Sequence, residues 1–133
     1  MESPSISEVT RIEPAQSVRA LKVWQRSMEL ARKVYELTQE FPREETYTLI
    51  SSMRRVAIAI PSKIAEGQGR CNPREFAHFL ESARGSLCEL QTQLDLARSF
   101  HYGRPELIDT NESLCQEIGK MLFALARKFK TLS

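Results

Sequence analysis

Cysteine and histidine are both scarce, and neither is spaced for chemistry. The 3 cysteines, Cys71, Cys88 and Cys115, are odd in number, far apart and contain no CxxC pair. That spacing supports neither a zinc knuckle nor a dithiol redox motif, so reduced thiols are expected. The 2 histidines, His78 and His101, are expected in structural or surface roles. No glycine-rich phosphate loop and no apolar–polar alternation of the strand kind occur. No apolar run approaches the ~20 residues of a membrane span, and no signal-peptide pattern opens the chain. A cytoplasmic protein is the expectation. Neither charge sign is in marked excess: the formal net charge is +2, which by itself says little about nucleic acid.

What the chain does have is helical periodicity. Its 133 residues fit one domain on the usual scale of ~100–200 residues. A hydrophobic share of 41% and a charged share of 27% are ordinary for a protein with a real core. Residues 1–16 hold two prolines and several Ser, Thr and Glu without periodicity, and read as a flexible arm. Residues 17–133 read as four amphipathic helices joined by short breaks, which predicts an all-α, antiparallel up-down-up-down four-helix bundle.

The first helix is expected over roughly residues 18–41. At about 100° per residue, Leu21, Trp24, Met28, Ala31, Tyr35 and Thr38 fall in one stripe. Val23, Leu30, Val34, Leu37 and Phe41 fall in a second beside it. Together they cover roughly 200°, against the ~100° a two-sided helix needs, so more than one partner surface is expected. Val23 and Leu30 are candidate subunit contacts. Phe41-Pro42 ends this helix. A second helix starts near residue 44, with Leu49, Met53, Val56, Ala57, Ile60 and Ile64 inward. Asn72-Pro73-Arg74-Glu75 is a helix start with a capping asparagine, a first-turn proline and a glutamate placed to reach back. The third helix points Phe76, Phe79, Leu80, Ala83, Leu87, Leu90, Leu94 and Ala97 inward. Tyr102-Gly103-Arg104-Pro105 breaks the chain before a fourth helix over residues 106–130. There Leu107, Leu114, Ile118, Met121, Leu122, Leu125 and Phe129 form the core face. Phe123 points away from it, among Glu112, Arg127 and Lys130, and is either an incidental exposed ring or a subunit contact.

The strongest fold marker is the segment from Ile60 through Pro61, Ser62, Lys63, Ile64, Ala65 and Glu66 to Gly67. A proline within a helix interior removes a backbone donor and clashes with the preceding turn, at a cost of ~3 kcal/mol. Something in the tertiary structure must offset it. Small Gly85-Ser86 on the third helix offers a place for a second backbone to come close, and Gly67 is expected to end the second helix.

Taken in order, these pieces carry a resemblance. They are Leu21-Lys22-Val23-Trp24, Tyr35-Glu36-Leu37, Phe41-Pro42 followed by Glu44-Glu45, Met53-Arg54-Arg55, Ile60-Pro61-Ser62, Ile64-Ala65-Glu66-Gly67, Phe79-Leu80, and Gly85-Ser86-Leu87 with Glu89-Leu90. Over roughly residues 21–129 the chain resembles the four-helix-bundle proteins encoded in intervening sequences of bacterial 23S ribosomal RNA genes. The resemblance implies a ring-like homopentamer. It also implies kinship with the accessory proteins of diversity-generating retroelements, which bind a reverse transcriptase and nucleic acid. An RNA-associated, non-enzymatic role follows as an expectation. Lys63 departs from the family, which usually shows asparagine there, so this lysine must satisfy a polar contact differently or turn outward.

Candidate nucleic-acid contacts are Lys22, Arg26 and Lys33 on the first helix, Arg54 and Arg55 on the second, and Arg127, Lys128 and Lys130 on the fourth. No acid follows Glu117, so that end is basic. On the first helix the bases are interrupted by Glu29, Glu36 and Glu40, which equally describes a solvated mixed-charge face. Arg54 and Arg55, with Glu66 and Glu89 as acidic counterparts, read either as interhelical or intersubunit ion pairs that fix register, or as phosphate contacts. Pro61, Glu66, Gly67, Gly85, Ser86 and Glu89 form the structural motif. A carboxylate-bridged metal centre needs Glu-x-x-His on two helices. Glu75-Phe76-Ala77-His78 is the single match and lies in a first turn, so no metal, cofactor or catalytic residue is expected. The partners expected are further copies of the chain and either RNA or a nucleic-acid-processing protein. The alternative function is a protein–protein scaffold that docks a polymerase-like partner without touching RNA.

Overall fold

The computed structural model describes residues 18–132, and among them every regular element is helical. The expected arm at residues 1–16 lies outside the described residues. Four helices follow in order: α1 (Lys22–Thr38), α2 (Ser51–Gly69), α3 (Pro73–Ser99) and α4 (Pro105–Leu132). Each packs against its neighbours in sequence, and α1 also packs against α4, which closes the set.

The inward faces are those the periodicity predicts. Leu37, Met53, Ile60, Ile64, Leu80, Leu90, Leu94, Ile118 and Leu122 are fully buried in one continuous core. Of the two stripes on α1, the one with Val23, Leu30, Val34 and Leu37 is the inner stripe, and Phe41 beyond the helix joins it. Trp24 and Ala31 of the other stripe are only partly covered, and Tyr35 is exposed.

Boundaries differ from the sequence reading at both ends of α1, which starts at Lys22 rather than near residue 18, and at both ends of α2. α1 stops at Thr38, because the backbone of residues 39–41 turns toward Pro42 with Glu40 N–H donating to Leu37 O. The entry to α2 is irregular, with a 3₁₀ turn at Arg43–Glu45 and a π-helical turn at Thr46–Ile50. α2 also does not end at Gly67 but continues to Gly69. At the start of α3, Asn72 Oδ1 accepts from the Glu75 backbone N–H at 3.1 Å, with Pro73 at the first position. The Glu75 side chain does not reach back to complete the cap; it lies 4.0 Å from Arg70.

Pro61 stays inside a continuous α2 and is buried. The close backbone approach expected at Gly85 is not found there. Gly85 is exposed, and a Cβ there would meet nothing within 4 Å. Gly67 is the tight point: a Cβ on it would sit 2.5 Å from Phe79 Cβ. One turn before it, Lys63 donates from Nζ to Ser86 Oγ at 2.8 Å and toward Ser82 O at 3.5 Å. The lysine therefore turns across to α3 and makes the polar contact between the two helices.

Candidate functional site

Two helical rows meet along the seam between α3 and α4. On α4, Gln116, Lys120, Phe123, Arg127 and Lys130 recur at steps of three and four residues, which places them on one face. On α3, Arg84, Cys88 and Gln91 do the same. Arg84, Gln91, Gln116, Lys120 and Phe123 line a groove of about 370 Å³ floored by Leu87, Cys115 and Gly119. A second cleft of about 150 Å³ shares Arg84 and Phe123 and extends the groove to Arg127 and Lys130.

The seam is electrostatically one-sided. No acid lines the larger cleft. The smaller holds Glu81, which lies 3.8 Å from Lys130 Nζ. Phe123 is 51% exposed, and the Arg84 guanidinium sits 5.0 Å from its ring centroid, within cation–π range. Burial pushes the Cys115 thiol up to about 12, so the groove floor is neutral and unreactive at ordinary pH. Cys71, Cys88 and Cys115 are all free thiols. This arrangement can attract an anion through Arg84, Lys120 and Arg127 and lay a flat group against Phe123.

The other residues singled out in the sequence fall into different settings. Arg26 is held between two acids: its Nη2 donates to Glu117 Oε1 at 2.9 Å, and it is also paired with Glu29. The hydrogen bond from Arg26 holds the Glu117 carboxyl below its usual range and raises Arg26 in turn. Lys33 lies 3.4 Å from Glu36. Arg54 packs on α1: its Nε donates to Thr38 Oγ1 at 2.9 Å and its guanidinium lies 4.4 Å from the Tyr35 ring centroid. Glu66 pairs at 3.2 Å with Arg70, just past the end of α2, rather than with Arg54 or Arg55. Lys22, Arg55, Glu89 and Lys128 are exposed. Val23 and Leu30, at 1% and 0% exposure, lie inside the single-chain core, where the chain's own helices already cover them. Of the three apolar contact candidates, only Phe123 reaches the surface.

Arg84, Gln91, Gln116 and the tie between Lys120 and Phe123 were missed from the sequence. The signal was present on α4, where a polar, basic and aromatic row recurs opposite the core face. The α3 half was hidden, because nothing in a linear pattern says which helix supplies the facing row. Among the described residues no group of three or more His, Cys, Asp or Glu is arranged to hold a metal ion, and His78 stands edge-on to Phe79.

A family model described as 23S rRNA-intervening sequence protein matches residues 19–124, which take in all of α1, α2 and α3 and the seam as far as Phe123. No curated protein matches the chain.

Proposed function

The chain belongs to the 23S rRNA-intervening sequence protein family, and from that premise we propose that it is a non-enzymatic, oligomeric binding module associated with RNA or a ribonucleoprotein. The observation that carries this reading is the α3–α4 seam. Arg84, Lys120 and Arg127 line it around an exposed Phe123, and the one acid there lies beside Lys130. On a polyanion each such cation displaces counterions, and an aromatic ring adds contact that a bare charge does not.

The proposal includes the arrangement of the helices. Arg26 meets Glu117, Lys33 O meets Asn111 and Glu40 meets Arg104. Lys63 meets Ser86 while Ser52 meets Gln93. Numbers rise on one helix as they fall on the next, which supports an up-down-up-down antiparallel bundle. We take the assembly to be a homopentamer acting in the cytoplasm. No helix among the described residues is long and apolar enough to cross a membrane. A closed ring repeats each seam, so modest local charge becomes multivalent.

Titration with RNA at about 50 and about 200 mM salt tests the reading, with tighter binding expected at low salt. Absence of binding even at low salt overturns it. Light scattering is expected to give a multiple of the 15.3 kDa chain mass, and a monomer at micromolar concentration would remove the oligomer.

A second reading, a scaffold for a polymerase-like protein, is favoured by Tyr47 and Ile58. They are 93% and 45% exposed, just before and on α2, which contributes nothing to the seam. A pull-down that recovers a protein but no nuclease-sensitive RNA supports it.

A further inference from the structure

The seam holds more than charge. No hydrogen bond among the described residues uses the side-chain amides of Gln91 or Gln116, yet both line the groove beside Phe123. An amide offers both donors and acceptors, so a pair of unengaged amides is suited to a group with a mixed hydrogen-bonding edge. The groove volume of about 370 Å³ lies at the low end of the ~300–1,000 Å³ typical of small-molecule clefts. Its floor is apolar, its rim is cationic, and its lining includes the exposed Phe123.

We propose that this groove takes an unpaired base of a single-stranded nucleic acid, with the flanking phosphates held by Lys120 and Arg127. The inference rests on the RNA-binding reading above and sharpens it to single strands. The base lies against Phe123, the Gln91 and Gln116 amides meet its edge, and the Arg84 guanidinium moves from the phenyl ring to the base or a phosphate. A duplex fits poorly here. Its bases are already stacked on each other, so it presents phosphates and sugars and leaves Phe123 without a partner. Aromatic rings that stack on bases are the feature that distinguishes single-strand grooves from simple cationic patches. No carboxylate lines the larger cleft, where the base sits, and the one acid beside Arg127 in the smaller cleft, Glu81, lies 3.8 Å from Lys130 Nζ.

The test uses the full chain with short fluorescent single-stranded oligouridine and oligoadenine, and with a duplex of equal length. Wild type is expected to prefer single strands. Phe123→Ala is expected to weaken single-strand binding by roughly 5- to 150-fold, the equivalent of ~1–3 kcal/mol for one stacked base, and to change duplex binding little. Phe123→Tyr is expected to restore it. Lys120→Gln is expected to reduce the salt slope by about 0.7, one phosphate contact on a single strand. If wild type binds RNA but does not discriminate single strand from duplex, or if Phe123→Ala binds as wild type does, the base site is wrong while the RNA reading stands. If wild type binds no RNA, both fall together. Light scattering on Phe123→Ala separates the remaining case, because a changed particle mass identifies Phe123 as a subunit contact and overturns the base site.

Discussion

At the scale of single residues, Gly67 takes the close-packed role that the sequence context suggests for Gly85, and Gly85 takes neither role. Both sit in helices, where glycine costs ~1 kcal/mol relative to alanine in backbone freedom. At Gly67 that cost is required, because a methyl group would lie 2.5 Å from Phe79 Cβ and 3.2 Å from Phe76 Cδ1. Gly67→Ala is therefore expected to destabilise by about 1–3 kcal/mol through overpacking. At Gly85 nothing lies within 4 Å, so Gly85→Ala is expected to stabilise by up to ~1 kcal/mol. Urea unfolding of both variants checks the pair, and the same sign at both positions would contradict the packing described. The sequence context suggests a helix end at Gly67 and a close approach at Gly85, although both are small residues on helices that must meet. Which one meets the neighbouring helix depends on rotation about the helix axis to within a fraction of a turn. The apolar stripe on α3 fixes that rotation, but only once the partner's position is known. Gly85 lies two residues before Leu87 and five before Leu90, which places it on the outer side.

At the scale of helices, the apolar faces were legible because burial imposes a period of 3.6 on the sequence. Every residue assigned to the inner faces of α2, α3 and α4 is buried or partly buried. What was not legible is where polar side chains end. Arg54, Glu66 and Lys63 each have several residues in reach, and tertiary geometry alone selects among them. Lys63 is the clearest case: it crosses from α2 to Ser86 of α3 at 2.8 Å, directly opposite the turn that follows Pro61. That bond, with the tight Gly67–Phe79 contact, ties the proline-bearing stretch of α2 to α3 and helps offset the missing backbone donor. Such a bond is expected to contribute about 1 kcal/mol. A double-mutant cycle with Lys63→Met and Ser86→Ala, read by urea unfolding, is expected to give a coupling of about 0.5–1.5 kcal/mol. Strict additivity of the two changes would mean that the bond does not hold the helices together. The seam of α3 and α4 was half legible for the same reason: its α4 row is periodic, while its α3 row becomes meaningful only beside it.

At the scale of the whole molecule, the contact between the first and last helices is held at both ends by carboxylates. Glu117 accepts from Arg26 of α1, and Glu40, just beyond α1, accepts from the Arg104 backbone N–H and from its Nε, each at 2.9 Å. The Arg26 hydrogen bond holds the Glu117 carboxyl below its usual range, and the Arg104 backbone N–H does the same for Glu40. Glu45 is likewise lowered, first by Thr48 and then by the Tyr102 hydroxyl, which donates to it at 2.9 Å. All three shifts have one sign. A carboxyl whose folded pKa lies below its ordinary value of 4.5 binds protons more weakly folded than unfolded. Its contribution to stability is complete above that value and is lost as pH falls through the folded pKa. The midpoint of thermal unfolding is thus expected to be level from neutral pH down to about 5 and to fall below about 4.5. Glu40→Gln combined with Glu117→Gln is expected to lower stability at neutral pH and to flatten the acid limb, so that the two curves converge at low pH. Because the pairs are partly exposed, about 1 M salt is expected to shrink the neutral-pH difference. Parallel curves for wild type and the double variant would show that the α1–α4 closure does not depend on these carboxylates, and that the acid sensitivity of the fold arises elsewhere.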